Sequence, residues 1–193
     1  MYCECTKSEL NLFSVLLAQT SREHGSLVEY YLLTTVTDGS LIEFDVSGLR
    51  NDYVDFANTM LHVKDKVTHE NDTDLAVGSL VGSVNLFLHN LFSQVDISLN
   101  GTIITSSTNT DPYRAMIETL SYGINAKTSQ LISALYYKDT AGNMDSMDFD
   151  NENEVNKKLA ARRRMARESR VIDMMGRLYA CEAALWGLIL NLR

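Results

Sequence analysis

Hydrophobic and polar residues alternate most cleanly from Gln94 to Leu99, where Val95, Ile97 and Leu99 fall on one side, and this period predicts a half-buried β-strand. Asn100-Gly101 follows, and Thr102 to Ser106 returns with Ile103 and Ile104. Asn-Gly between two β-prone runs predicts a two-residue hairpin, because both turn positions need positive φ. Asp111 as a cap and Pro112 in the first turn then predict a helix running to Tyr122. Upstream, Leu27 to Val36 (LVEYYLLTTV) and Leu41 to Val46 (LIEFDV) read as strands joined by a turn at Asp38-Gly39. Met60 to Val67 is a third alternating run, with Leu61, Val63 and Val67 inward and Asp65 interrupting the inner face. Leu10 to Leu17 fits a short helix and a first strand equally well.

The apolar block of Leu86, Phe87, Leu88, Leu91 and Phe92 reads as core. In the helix after Pro112, Tyr113, Met116, Ile117 and Leu120 form one stripe that most simply packs on the sheet, while Arg114 and Glu118 make an exposed pair. Thr128 to Tyr137 predicts a second helix from Leu131 with Leu135 and Ile132 with Tyr136 at i,i+4 spacing. Asp145 to Asn156 reads as an acidic loop, Leu159 to Arg170 as a helix, and Val171 to Leu178 as its extension or a late strand. Short strands separated by turns, with a helix after the central hairpin, predict an antiparallel sandwich carrying helical insertions.

The chain of 193 residues can bury a sizeable core, and 45% hydrophobic with 22% charged residues is an ordinary globular balance. No apolar stretch is long enough to cross a bilayer, and the start MYCECTKSEL has no secretory pattern. Cys3, Cys5 and Cys181 form no disulfide framework, so cytoplasm or nucleus is expected rather than secretion. The net charge of -8 opposes bulk attraction to nucleic acid or anionic membrane, but it is segregated: six acids lie between Asp139 and Glu154, and seven bases between Lys157 and Arg170.

The chemistry-bearing residues point away from catalysis. His24, His62, His69 and His89 have no metal-ligand spacing, and Cys3 and Cys5 alone do not close a tetrahedral site. Ser106, Ser107 and Thr108 have no His-Asp arrangement to activate them. Neither cofactor nor small-molecule substrate is expected. Arg162, Arg163, Arg164 and Arg167 in ARRRMARESR are candidates for contact with packaged DNA or for a nuclear-import signal. A solvated helix face balanced by the acidic loop competes with that reading, and the lack of interleaved aromatics for base stacking favours it.

The run NLFLHNLFSQVDISLNGTIITSSTNTDPYRAMIETLSYG, followed by AKTSQLISALYYKDTAGNMD and ARESRVIDMMGRL, closely resembles the jelly-roll capsid proteins of Maverick/Polinton elements and their adintovirus relatives. The likeness extends from about Ser8 to Leu178, departs from the family at Leu16-Leu17 where a proline is expected, and stops before Tyr179 to Arg193. It implies a mainly β fold, a jelly-roll sandwich over residues 10–178 with one or two inserted helices, while the residues themselves read as a flexible segment 1–9 and a divergent, apolar, helical tail 179–193. It further implies a virion shell subunit, or a truncated genome-resident copy of one, that assembles with itself or related capsid subunits, as trimers in the full-length family. The N-terminal part of the major capsid protein is the preferred match, with the minor, penton-type protein as alternative. A host-retained jelly-roll binding module would instead stay monomeric with a saturable ligand, and a cupin-like metalloenzyme would carry stoichiometric metal.

Overall fold

A computed structural model of the chain describes residues 24–37, 39–47, 53–55, 58–105, 109–146, 155–178 and 189–191, with Tyr53 and 189–191 given by backbone alone. The chain divides into two units, Met1–Ser47 and Gly48–Arg193. The expected segment 1–9, the run Leu10 to Leu17, Ser106 to Thr108 and all three cysteines lie outside the described residues.

In the first unit, residues 24–37 and 39–47 are opposed across a turn without forming regular strands. The turn is closed by Ser40 N–H donating to Thr37 O at 3.0 Å and by the Ser40 hydroxyl donating to the same carbonyl at 2.7 Å, with Gly39 at φ 68. A left-handed residue is what a tight turn between two such runs needs. Leu33 N–H donates to Glu43 O at 3.1 Å across the hairpin. The segments read as strands at Leu27 to Val36 and Leu41 to Val46 are thus opposed as expected, but they form no regular ladder.

The second unit contains β1 (Tyr53–Asp55), β2 (Met60–Asp65), α1 (Phe87–Asn90), β3 (Ser98–Leu99), β4 (Thr102–Ile103), α2 (Asp111–Ser121), α3 (Ile124–Lys127), α4 (Lys157–Ala166), β5 (Ile172–Arg177) and β6 (Ile189–Asn191). Among the described residues the strands make three separate two-stranded antiparallel sheets: β1 with β6, β2 with β5, and β3 with β4. The jelly-roll sandwich expected from the resemblance is therefore not the observed fold. Each described strand has one partner, so no sheet has more than two strands and no two layers of sheet are formed among the described residues. The tail also departs from expectation, since Ile189–Asn191 is a strand on β1.

The β2–β5 pair organises the core. Leu61 lies opposite Gly176, Val63 opposite Met174 and Asp65 opposite Ile172, so the alternation in each strand sets one face inward. α1 and the 3-10 turn Gln130–Ala134 cover that face. A Cβ on Gly176 would stand 2.7 Å from Leu88 Cδ2 and 3.1 Å from Ala134 Cβ, which is why the last inward position of β5 has no side chain. Leu86, Leu88, Ala115, Leu135, Ala166, Ile172 and Met174 complete the buried cluster. Leu86 and Leu135 both adopt left-handed backbone, φ 55 and 61, a strain of order 1–2 kcal/mol each. Leu86 N–H donating to Leu135 O at 3.0 Å, with both side chains buried, holds them there.

Two expected helices are altered. The predicted α-helix Thr128 to Tyr137 is instead the short 3-10 turn Gln130–Ala134, which follows α3 and is ended early by the left-handed Leu135. α2 begins at Asp111 with Pro112 in its first turn, but Asp111 does not cap it: its carboxylate accepts from Val95 N–H and so ties the helix start to the central hairpin.

Candidate functional site

The basic run of α4 is where charge is most concentrated, and its packing sorts the arginines. The helix starts at Asn156, whose side-chain oxygen accepts from Leu159 N–H at 3.2 Å. Asn156 also donates through Nδ2 to Asp139 Oδ1 at 2.9 Å and to Asn143 O at 3.1 Å, so one residue both caps the helix and holds the preceding loop. Two turns on, Arg162 points into the unit with only 2% of its surface exposed. Its Nε donates to Ser83 O at 2.8 Å and Nη1 to Tyr137 O at 2.7 Å, while Nη2 reaches Asp139 Oδ1 and Oδ2 at 2.9 and 3.1 Å. The guanidinium thereby joins three chain segments that are far apart in sequence.

Arg162 is therefore not available to nucleic acid or an import receptor, contrary to its place among the candidates. Arg163 is half-buried and donates from Nε to Ser79 O at 3.2 Å. Arg164 and Arg167 are exposed, and Arg167 pairs with Glu168 at 3.3 Å. Lys158 sits over the Tyr137 ring, 5.8 Å from its centroid. What looked in sequence like four equivalent arginines is one structural clamp, one partly committed residue and two surface charges.

The central turn behaves as its sequence requires. Asn100 and Gly101 have φ 50 and 78, and Ser98 pairs with Ile103 across them. Pairing continues one step with Ile104 N–H donating to Ile97 O at 2.8 Å, and Val95, Ile97 and Leu99 share the half-buried face as expected.

The histidines do not converge. His62, on the outer face of β2, bonds Asp173 at 2.6 Å, with Lys64 at 3.7 Å from the same carboxylate. His89 lies on the opposite, inner face near Gly176, and burial lowers its pKa to about 4. His69 is in an exposed loop, and His24 in the hairpin unit. Among the described residues no group of three or more His, Cys, Asp or Glu is placed to hold a metal ion, and no helix is long and apolar enough to cross a membrane.

Exposed apolar surface is the feature that sequence reasoning placed wrongly. Tyr113, Met116, Ile117 and Leu120 of α2 face outward, while Ala115 and Thr119 pack inward. The stripe expected to seat the helix on the sheet is thus its outer side. In the hairpin unit Leu27 is 92% and Leu41 81% exposed, with Val28, Tyr31, Leu33 and Val36 each more than half exposed. No protein-family model, curated protein or solved structure matches the chain.

Proposed function

We propose that this chain is a structural subunit that works by associating with copies of itself or related subunits, as a viral-type shell protein or a copy of one does, and not by catalysis. The observation that carries the reading is the hairpin of residues 24–47. Leu27, Val28, Tyr31, Leu32, Leu33 and Val36 are all exposed along one short stretch of it, and Leu41 on the returning segment is 81% exposed. A two-stranded hairpin is at best marginally stable in water, and one with this much exposed apolar surface gains most when that surface is covered. Assembly supplies such cover. The resemblance of Asn85 to Gly123, Ala126 to Asp145 and Ala166 to Leu178 to Maverick/Polinton capsid proteins supports the same class of function; the proposal does not depend on a sandwich fold.

The test is sedimentation velocity of the purified full chain from low to high micromolar concentration, with negative-stain microscopy of the heaviest species. Discrete oligomers or closed particles that grow with concentration are expected. A monomer throughout that range overturns the proposal.

A further inference from the structure

α2 packs on its own unit through its small side. Ala115 and Thr119, one turn apart, are buried, and the Thr119 hydroxyl donates to Ala115 O at 2.7 Å, so that side needs no polar partner elsewhere. An amphipathic helix in a globular protein ordinarily turns its large apolar stripe toward the core. Here the stripe of Tyr113, Met116, Ile117 and Leu120 is outward, with Leu120 72% exposed.

We infer that this stripe is a contact between two copies of the chain, made by antiparallel pairing of their α2 helices about a twofold axis between Met116 and Ile117. The inference rests on the self-assembly reading and names one of its contacts. The i, i+3, i+4, i+7 spacing is symmetric about the Met116–Ile117 midpoint. A twofold there sets Tyr113 of one copy against Leu120 of the other, and Met116 against Ile117, so that an isologous contact meets apolar with apolar at every position. Charge agrees with this pairing. The stripe contains no ionisable group but the tyrosine, whose hydroxyl lies at the end of a long ring, and Arg114 lies off the stripe with Asp111 at 3.5 Å. Antiparallel packing also places the positive N-terminal end of each helix beside the negative C-terminal end of the other.

The area fixes the kind of contact. Four side chains from each copy remove roughly 1,000 Å² from water at most, short of the ~1,200 Å² at which stable standard-size interfaces begin. The pairing is weak by itself and suits a subunit held by several contacts at once.

The experiment uses the full chain with Met116→Glu and Ile117→Lys made separately. Both side chains are more than half exposed, at 53% and 62%, so the folded state is retained, which circular dichroism and thermal melting check. Each variant alone is expected to associate at least about tenfold more weakly than the unaltered chain in sedimentation velocity. An equimolar mixture recovers association, because the twofold brings the introduced carboxylate of one copy against the introduced ammonium of the other. Variants that associate like the unaltered chain overturn the α2 contact while leaving self-assembly standing. A mixture no stronger than its components overturns the antiparallel twofold. An unaltered chain that stays monomeric removes the self-assembly reading and this contact with it.

Discussion

Replacing Arg162 by alanine removes one donor from the buried carbonyl of Ser83 and one from the part-buried carbonyl of Tyr137, and the Nη2 group that reaches both oxygens of Asp139. The side chain of Asp139 is 16% exposed, and among the described residues only Asn156 Nδ2 would still donate to it. Breaking a buried ion pair by removing one partner costs about 3–5 kcal/mol. Counting the two carbonyl bonds from a charged donor at about 1.5–3 kcal/mol each reaches the same range by another route. Against a total stability of roughly 5–15 kcal/mol, Arg162→Ala is therefore expected to bring the second unit near its unfolding threshold. The assay is urea denaturation followed by far-ultraviolet circular dichroism, with Arg164→Ala, an exposed neighbour, as the control. With a slope of about 2 kcal/mol per molar, the midpoint of Arg162→Ala drops by roughly 2 M, while that of Arg164→Ala moves by less than about 0.3 M. Equal midpoints for the two variants would refute the clamp. A loss of DNA retention by Arg162→Ala at unchanged stability would return that residue to the surface role first considered for it.

Two further predictions follow from buried polar groups. His89 has a folded-state pKa of about 4 against an ordinary 6.5, so between these values the unfolded chain binds the extra proton: its contribution is intact above pH 6.5 and lost as pH falls toward 4, in total about 3 kcal/mol. His89→Gln should flatten the decline of stability between pH 6.5 and 5, where most carboxylates are still ionised, and an unchanged slope there excludes the assignment. The Ser83 hydroxyl is buried with no hydrogen-bond partner among the described residues, whereas its carbonyl serves Arg162. Ser83→Ala is accordingly expected to leave the clamp in place and raise stability by about 1 kcal/mol in the same urea assay, and a loss of 1 kcal/mol or more would contradict it.

The features legible in the sequence are those set within a few residues. Asn100-Gly101 fixed its turn because few other pairs tolerate positive φ at both positions, and Pro112 marked the start of α2 because only a first turn accepts it. The alternation of Met60 to Asp65, Asp65 included, matched a strand with one inner face. Pairing was not legible in the same way. β2 finds its partner more than a hundred residues later, and a run such as Leu27 to Val36 carries the composition of a strand whether or not a ladder forms. The acid at Asp111 had the right type and position for a cap, yet a hairpin amide competed for it successfully. Nor could three adjacent arginines reveal which one turns inward, since that depends on where Asp139 and the carbonyls of Ser83 and Tyr137 are brought by the fold.

The inversion of α2 has an energetic consequence that local pattern could not have disclosed. Ala115 and Thr119 let the helix lie close against α1, which large side chains on that side would prevent. Folding of the single chain then leaves Tyr113, Met116, Ile117 and Leu120 largely in water, although full burial of such side chains is worth about 1.5–3 kcal/mol each. That free energy is realised only when something covers the stripe. Copies of the chain each carry a formal charge of -8, so they repel over about 8 Å at physiological ionic strength, and one weak apolar contact competes with that repulsion. In the proposed assembly, several apolar contacts made at once would each add a gain against that repulsion. In the proposed assembly, a helix with its small face inward and its large face outward would gain a burial that folding of the isolated chain does not supply.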